Sequence, residues 1–225
     1  MNNSNLIIFS SELVGTFGLL VAATGSVVFD GMMGETLGTF FIAAMHFVGL
    51  AILVYAFGKY SMAHFNPAVT IGFLITGHIK TKQLPIYFSA QVIGAVLGSL
   101  FVKFVIGDYA SLGVTLGNYS YSLSLIFGAE ILATFLLMGV ILITIHKKSL
   151  NKFAGLAVGG IIGLDVIFFR DISGASMNPI RSFAPALVAG IPDQLWLFWT
   201  APFIGAIIVA ILLRKKFSHI VKKSA

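Results

Sequence analysis

Five polar side chains stand in or beside long apolar stretches of the sequence, and their types limit the chemistry that they could do. Glu12 and Glu130 lie near the starts of two such stretches, His64 lies between two others, Asp165 lies inside one, and Arg181 follows an asparagine by three positions. Carboxylates and an imidazole could relay protons across a membrane. An arginine could bind an anionic group, or set an electrostatic barrier in a narrow pore.

Each of these groups also has a structural interpretation. Glu12 and Glu130 occupy equivalent positions in two halves of the chain, and each could accept hydrogen bonds from the backbone of a loop at membrane depth. The equivalence favours this loop-bracing role over a proton relay, and we interpret His64 in the same way. Asp165 could meet Arg170 or a water molecule, and its role stays open.

Two Asn-Pro pairs mark the elements that must position these side chains. Asn66-Pro67-Ala68 and Asn178-Pro179-Ile180 are each followed by about ten mostly apolar residues and then by a glycine, Gly77 or Gly190. Asparagine caps helix N-termini, proline fits the first helical turn, and glycine favours the left-handed position after the last turn. The pattern predicts two helices too short to cross a bilayer, which needs about 20 apolar residues.

The composition indicates a membrane protein. Hydrophobic residues make up 58% of the 225 residues and charged residues only 10%, and the chain contains no cysteine, which excludes disulfides and thiolate metal sites. No spacing typical of a catalytic triad, a metal-ligand pair or a phosphate-binding loop is present, so we expect neither an enzyme nor a metal or cofactor. Six segments are long enough to span a bilayer: about 7–28, 37–58, 84–106, 124–146, 153–169 and 195–214.

The two halves of the sequence repeat. The segment from Glu12 to Phe17 matches the segment from Glu130 to Phe135, and the two Asn-Pro pairs lie 112 positions apart. Each half has three spans, so the second copy enters the membrane from the opposite side and the two short helices meet near the middle. We therefore predict an all-α membrane protein with six transmembrane helices and two half-helices, in a single domain over 1–225 with inverted repeats at about 1–110 and 120–225.

The basic residues predict the orientation. With six spans, the ten lysines and arginines of two loops and the C-terminal tail fall on one face, which predicts that both termini are cytoplasmic. We expect the protein to reside in the plasma membrane. Because the basic residues lie next to the membrane, the net charge of +6 indicates that the protein contacts lipid head groups and not nucleic acid. These ten residues are Lys80, Lys82, Lys147, Lys148, Lys152, Arg214, Lys215, Lys216, Lys222 and Lys223.

The motifs resemble those of the aquaporin, or major intrinsic protein, family over nearly the whole chain. The residues that carry the resemblance are those from His64 to Thr70 and from Ser173 to Pro179, together with Arg181. The resemblance implies a homotetramer with one pore in each subunit and small neutral solutes as its cargo. It also implies that Asn66 and Asn178 donate hydrogen bonds to a passing molecule, while the two half-helices repel protons and cations.

Four residues correspond to the selectivity filter of that family: His46, Val166, Ala175 and Arg181. Water-selective members usually have phenylalanine at the first of these positions and histidine at the second. The order found here resembles the plant vacuolar-membrane group and its animal relatives, which pass ammonia and hydrogen peroxide as well as water. The resemblance therefore implies a water channel that could also conduct ammonia or hydrogen peroxide.

Three alternatives remain at this point. Glycerol channels of the family carry aspartate directly after the arginine, where this chain has Ser182, so glycerol transport is the less favoured solute specificity. An ion-coupled secondary transporter could use Asp165 and Glu130. A structural membrane protein with a poorly conducting pore would explain why the second tripeptide ends in the bulky Ile180.

Overall fold

The computed structural model describes the backbone of residues 3–221 and the side chains of residues 3–214, and within that part the regular structure is entirely helical. Lys222 and Lys223, and the side chains of Lys215 and Lys216, lie outside it. The long helices are α1 (Asn3–Met32), α2 (Gly38–Ser61), α4 (Leu84–Phe101), α5 (Leu123–His146), α7 (Ala154–Ser173) and α9 (Leu195–Val221). The short ones are α3 (Pro67–Ile75), α6 (Lys148–Asn151) and α8 (Pro179–Ala189), with single turns at Thr81–Gln83, Val102–Ile106 and Ala110–Gly113.

The long helices agree with the six predicted spans. Five of them are long and apolar enough to cross a membrane: α1, α2, the segment Thr81–Ile106 that contains α4, α5, and the part Leu195–Arg214 of α9. The sixth, α7, has 20 residues, which gives it a length of about 30 Å, the thickness of a bilayer's hydrocarbon core. It carries Asp165, Arg170 and Asp171, so its composition marks a span less clearly than that of the others.

The helices pack as two interlocked halves. In the first half α1 packs against α2 and α4, and in the second half α5 packs in the same way against α7 and α9. Contacts between α2 and α7 join the halves, and each half-helix crosses over, α3 packing on α9 and α8 on α4. Neither half could therefore bury its own half-helix without the other. Below, the face at which α1 begins is called the terminal face, and the opposite one the distal face.

The two half-helices begin and end as the Asn-Pro pattern predicts. Asn66 Oδ1 accepts hydrogen bonds from the backbone of Ala68 (2.8 Å) and Val69 (3.5 Å), and Asn178 Oδ1 accepts one from Ile180 (3.2 Å). These side chains satisfy backbone donors that have no partner within the first helical turn. Gly77 and Gly190, with φ of 81° and 72°, follow in the left-handed conformation at the two C-terminal ends.

Two glycines allow the closest helix contacts, and they occupy equivalent positions in the two halves. A Cβ atom at Gly94 of α4 would overlap the backbone carbonyl of Leu13 in α1, and one at Gly205 of α9 would overlap that of Ile131 in α5. Backbone atoms of a packed helix cannot move aside as the end of a side chain can. Glycine is therefore required at these positions for close approach.

We predict that Gly94→Ala lowers the thermal denaturation midpoint of the detergent-solubilised protein. The added methyl group forces α1 and α4 apart, and such overpacking typically costs about 1–3 kcal/mol. Gly128→Ala in α5 is the matched control, because nothing lies within 4 Å of a Cβ atom there. Equal midpoints for the two variants would contradict the close approach of α1 and α4.

Candidate functional site

The loop before the first half-helix is held by one buried carboxylate. Glu12 Oε1 accepts hydrogen bonds from Ser61 Oγ (2.6 Å) and the His64 backbone N–H (2.9 Å). Its Oε2 accepts from the Phe65 backbone N–H and from Gln91 Nε2, both at 2.8 Å. Four donors thus converge on a side chain with no solvent exposure. Each carboxylate oxygen of Glu12 already accepts two hydrogen bonds, so neither is free to take up a proton in a relay.

Glu130 holds the loop before the second half-helix in the same manner. It accepts hydrogen bonds from Ser173 Oγ (2.7 Å) and from the backbone N–H groups of Ser176 and Met177 (both 2.8 Å). Phe65 in the first loop and Met177 in the second have φ of 48° and 54°, a conformation that side chains rarely adopt without support from their surroundings. Each glutamate therefore stabilises a strained loop.

The two asparagines link one loop to the other. Asn66 Nδ2 donates to the Met177 carbonyl (2.8 Å), and Asn178 Nδ2 donates to the Phe65 carbonyl (2.9 Å). A side-chain amide has two N–H groups, so each asparagine retains one further donor after this contact. The N-termini of α3 and α8 are therefore fixed to one another, with one amide hydrogen of each asparagine unused by these contacts.

A narrow cavity of about 40 Å³ runs past both asparagines. That volume has room for on the order of three water-sized spheres. Its wall is largely aliphatic, with residues such as Leu50, Ile141 and Ile162. The polar side chains among its lining residues are His46, His64, Asn66, Ser176, Asn178 and Arg181.

Both histidines of the cavity have one ring nitrogen engaged and one without a protein partner. His46 Nδ1 lies 2.8 Å from the Ile42 carbonyl, which can only accept, so Nδ1 carries the proton and Nε2 is an acceptor. His64 Nδ1 lies 3.0 Å from Thr70 Oγ1, whose own hydrogen is given to the Asn66 carbonyl. The Nε2 atoms of both rings are buried and unpartnered, and thus offer acceptors to a molecule in the cavity.

Arg181 is fixed at the distal end of the cavity. Its Nη1 donates to the Gly113 carbonyl (3.0 Å) and to Thr115 Oγ1, both from the turn and loop that follow α4. Its Nε is buried and has no protein partner. A donor from Arg181 and an acceptor from His46 therefore line the same cavity.

The structure brings together most, though not all, of the residues predicted from the sequence. His46, Ala175 and Arg181 line the cavity, whereas Val166 is buried and does not belong to its lining. Ile180 is also fully buried, in the main hydrophobic core, and does not line the cavity either. Its bulk is therefore accommodated in the protein interior, outside the lining of the cavity.

Asp165 lies apart from this cavity. It is 2% exposed, and its Oδ2 has no hydrogen-bond partner. The expected partner Arg170 instead donates to Thr39 Oγ1 at 2.9 Å. Among the residues whose side chains are described, no cation lies within 4.0 Å of the Asp165 carboxylate.

Several residues that complete the site were not predicted from the sequence. Gln91 binds both Glu12 and Thr70, and an amide inside an apolar span was the signal that could have identified it. Thr115 and the Gly113 carbonyl anchor Arg181, but they belong to a turn in which Ser111 and Leu112 are left-handed. Nothing in the local sequence indicates that this turn reaches the half-helix.

Six membrane-length helices and two half-helices, with polar groups converging on a narrow internal cavity, define an all-α membrane protein of the inverted-repeat class. Residues 2–213 match the family model described as Major intrinsic protein. The chain belongs to this family, as the motifs predicted, and members of the family are channels and not enzymes.

Curated relatives and solved structures agree with this assignment. Aquaporin NIP3-1 of Arabidopsis thaliana is 38% identical over 203 residues, covering 87% of this chain and 63% of that protein. Aquaporin NIP1-1 of Zea mays is 37% identical over 199 residues, covering 88% and 70%. The chain thus spans less than two thirds of the first relative. The aquaglyceroporin from Plasmodium falciparum has a TM-score of 0.78 at 24% identity, covering 97% of this chain and 99% of that one, which establishes the fold alone.

We predict that Glu12→Gln destabilises the protein. A glutamine amide would present its own N–H groups to one of the two pairs of donors, leaving one backbone N–H unsatisfied, at a cost of about 1–3 kcal/mol. The thermal denaturation midpoint in detergent measures the loss, with the exposed Glu35→Gln as the control. A midpoint unchanged from the unmodified protein would contradict the loop-bracing role of Glu12.

Proposed function

We propose that this chain is a passive channel that conducts water, and also ammonia or hydrogen peroxide, while it excludes protons and ions. The observation that carries the proposal is the narrow, mostly aliphatic cavity that runs past Asn66 and Asn178, each of which donates a hydrogen bond to the loop before the other half-helix. The name aquaporin, which the two plant relatives carry, supports the same conclusion.

The asparagine donors explain how such a channel would exclude protons. The free N–H groups of Asn66 and Asn178 would both donate to one water molecule, whose lone pairs are then occupied. That water cannot accept a hydrogen bond from a neighbour, so a continuous proton wire is interrupted. The N-termini of α3 and α8 add partial positive charge at the same level, which repels cations. Aquaporin-type pores in general exclude protons and cations by electrostatic barriers of this kind.

The distal end of the cavity would act as the filter, formed by His46, Ala175 and Arg181, three of the four residues predicted for it. A water or ammonia molecule could accept from Arg181 and donate to His46 Nε2 while it loses its other partners. An ion passing the same aliphatic wall would lose its hydration without a compensating partner, which is far more costly. The small Ala175 leaves room beside the arginine for molecules other than water.

We further propose that the channel is a homotetramer in the plasma membrane, formed by one channel domain per chain, with both termini in the cytoplasm. The predicted cytoplasmic lysines support this orientation, because Lys80 and Lys82 line a surface pocket together with Ser4 and Asn5 at the start of α1. Native mass spectrometry tests the assembly, and the accessibility of an N-terminal tag in intact cells tests the orientation.

The first test is stopped-flow light scattering of proteoliposomes after an osmotic step. We expect water permeability well above that of protein-free vesicles, with the low activation energy typical of a pore. Arg181→Ala should admit larger solutes such as glycerol, because it removes the fixed guanidinium from the filter. Equal water permeability with and without the protein would refute the channel, and an unchanged solute profile in Arg181→Ala would refute the filter.

The second test concerns ammonia. The double variant His46→Phe with Ala175→Thr should lose ammonia permeability and retain water permeability, because it replaces the acceptor and narrows the passage. His78→Phe is the control, since His78 does not line the cavity. Internal alkalinisation of vesicles after an ammonia gradient gives the readout. Retained ammonia flux in the double variant would show that this filter does not select for ammonia.

Ion-coupled transport is the alternative function, and one observation favours it: the buried Oδ2 of Asp165 has no hydrogen-bond partner. Its second predicted participant, Glu130, is fully engaged by the loop before α8. A coupled transporter would accumulate solute against a gradient and would lose that ability in Asp165→Asn, whereas a channel only equilibrates.

A further inference from the structure

A recess of about 250 Å³ adjoins the distal end of the cavity, and two arginines line it. Arg181 belongs to the lining of both spaces. Arg170, from the last turn of α7, lines the recess only. The recess is about six times larger than the cavity, so a molecule could be held in it that does not fit further along.

Both guanidinium groups are held in place by neutral partners. Arg170 Nη1 donates to Thr39 Oγ1, and Arg181 Nη1 donates to Gly113 and Thr115. Within residues 3–214 neither arginine lies within 4.0 Å of a carboxylate. The exposed Asp171 lines the recess as well, so the recess carries two positive charges against one negative charge.

This arrangement has the chemistry of an anion site. Two guanidinium groups at one recess repel each other, and an anion between them would convert that repulsion into attraction. A guanidinium presents parallel N–H donors whose spacing matches the two oxygens of a carboxylate. Val27, Val114 and Leu116 supply apolar wall to the same recess, which suits a short alkyl group attached to the carboxylate.

We propose that this recess is a binding site for a short-chain monocarboxylate, held by Arg170 and Arg181. The bound anion stops at Arg181, because the aliphatic cavity beyond it would strip the charge of water without replacing its hydrogen bonds. It then obstructs the distal end of the cavity. This last step rests on the proposed channel function, whereas the binding itself does not.

Binding is tested directly on the detergent-solubilised protein, by isothermal titration calorimetry with sodium propionate at pH 7.5 and constant ionic strength. We expect Arg170→Gln to weaken binding roughly tenfold or more, as the loss of a charge-assisted hydrogen bond implies. Asp171→Asn should tighten it, because a repelling charge is removed. Lys59→Gln makes the same change in net charge on α2 near the terminal face and should leave the affinity unchanged.

The neutral isostere propionamide should not bind. Equal affinities of the unmodified protein and Arg170→Gln, or equal binding of propionamide, would overturn the site. If Arg170→Gln fails to fold, Asp171→Asn and propionamide still decide the question.

Obstruction is tested in proteoliposomes with propionate at equal concentration on both sides, so that no acid gradient exists. Water permeability should fall with an affinity matching the calorimetric one, and Arg170→Gln should resist the effect. Arginine-dependent binding without any fall in permeability would refute the obstruction. Vesicles that conduct no water in the absence of propionate would refute the proposed channel function, and the calorimetric result would stand separately.

Discussion

Backbone N–H groups at mid-membrane depth need hydrogen-bond partners, and the rest of this structure depends on how that need is met. A continuous helix satisfies its own backbone, but the loops that lead into α3 and α8 do not. Glu12 and Glu130 each supply a carboxylate to consecutive loop N–H groups. With those donors satisfied, the chain can turn back inside the protein, and two helix N-termini can meet at the level of the cavity.

The chemistry of the cavity follows from what these contacts leave unused. The two carboxylates accept hydrogen bonds from the loops, and one N–H group of each asparagine donates to a carbonyl of the opposite loop. What remains available to a molecule in the cavity is a second amide hydrogen on Asn66 and Asn178, the Nε2 atoms of His46 and His64, and the Nε–H of Arg181. Apart from the guanidinium at the distal end, these are neutral groups that exchange single hydrogen bonds, which suits small uncharged solutes. The aliphatic wall gives an ion nothing to replace its hydration.

Much of this was predictable because the signals are local or repeated. Asparagine, proline and glycine at fixed spacing specify the half-helices, and the internal repeat identified Glu12 and Glu130 as equivalent residues with a shared structural task. Val166 and Ile180 are buried outside the lining of the cavity, and this depends on how the helices are rotated about their axes, which spacing along the chain does not determine. The anchoring of Arg181 depends on a left-handed turn between α4 and α5, and its conformation is set by tertiary contacts.

Fixed charge is distributed unevenly along the cavity, although the backbone repeat is nearly symmetric. Two guanidinium groups line the recess at the distal end, whereas the imidazoles of His64 and His78 lie toward the terminal side. The His64 ring stacks on Phe73, with centroids 4.4 Å apart, and Phe73 meets His78 edge to face at 5.3 Å. Burial and the neighbouring His146 lower the pKa of His78 to about 4, so this imidazole is neutral near pH 7. The repeat positions the half-helices, and the side chains that differ between the halves place two guanidinium groups beside the distal end of the cavity.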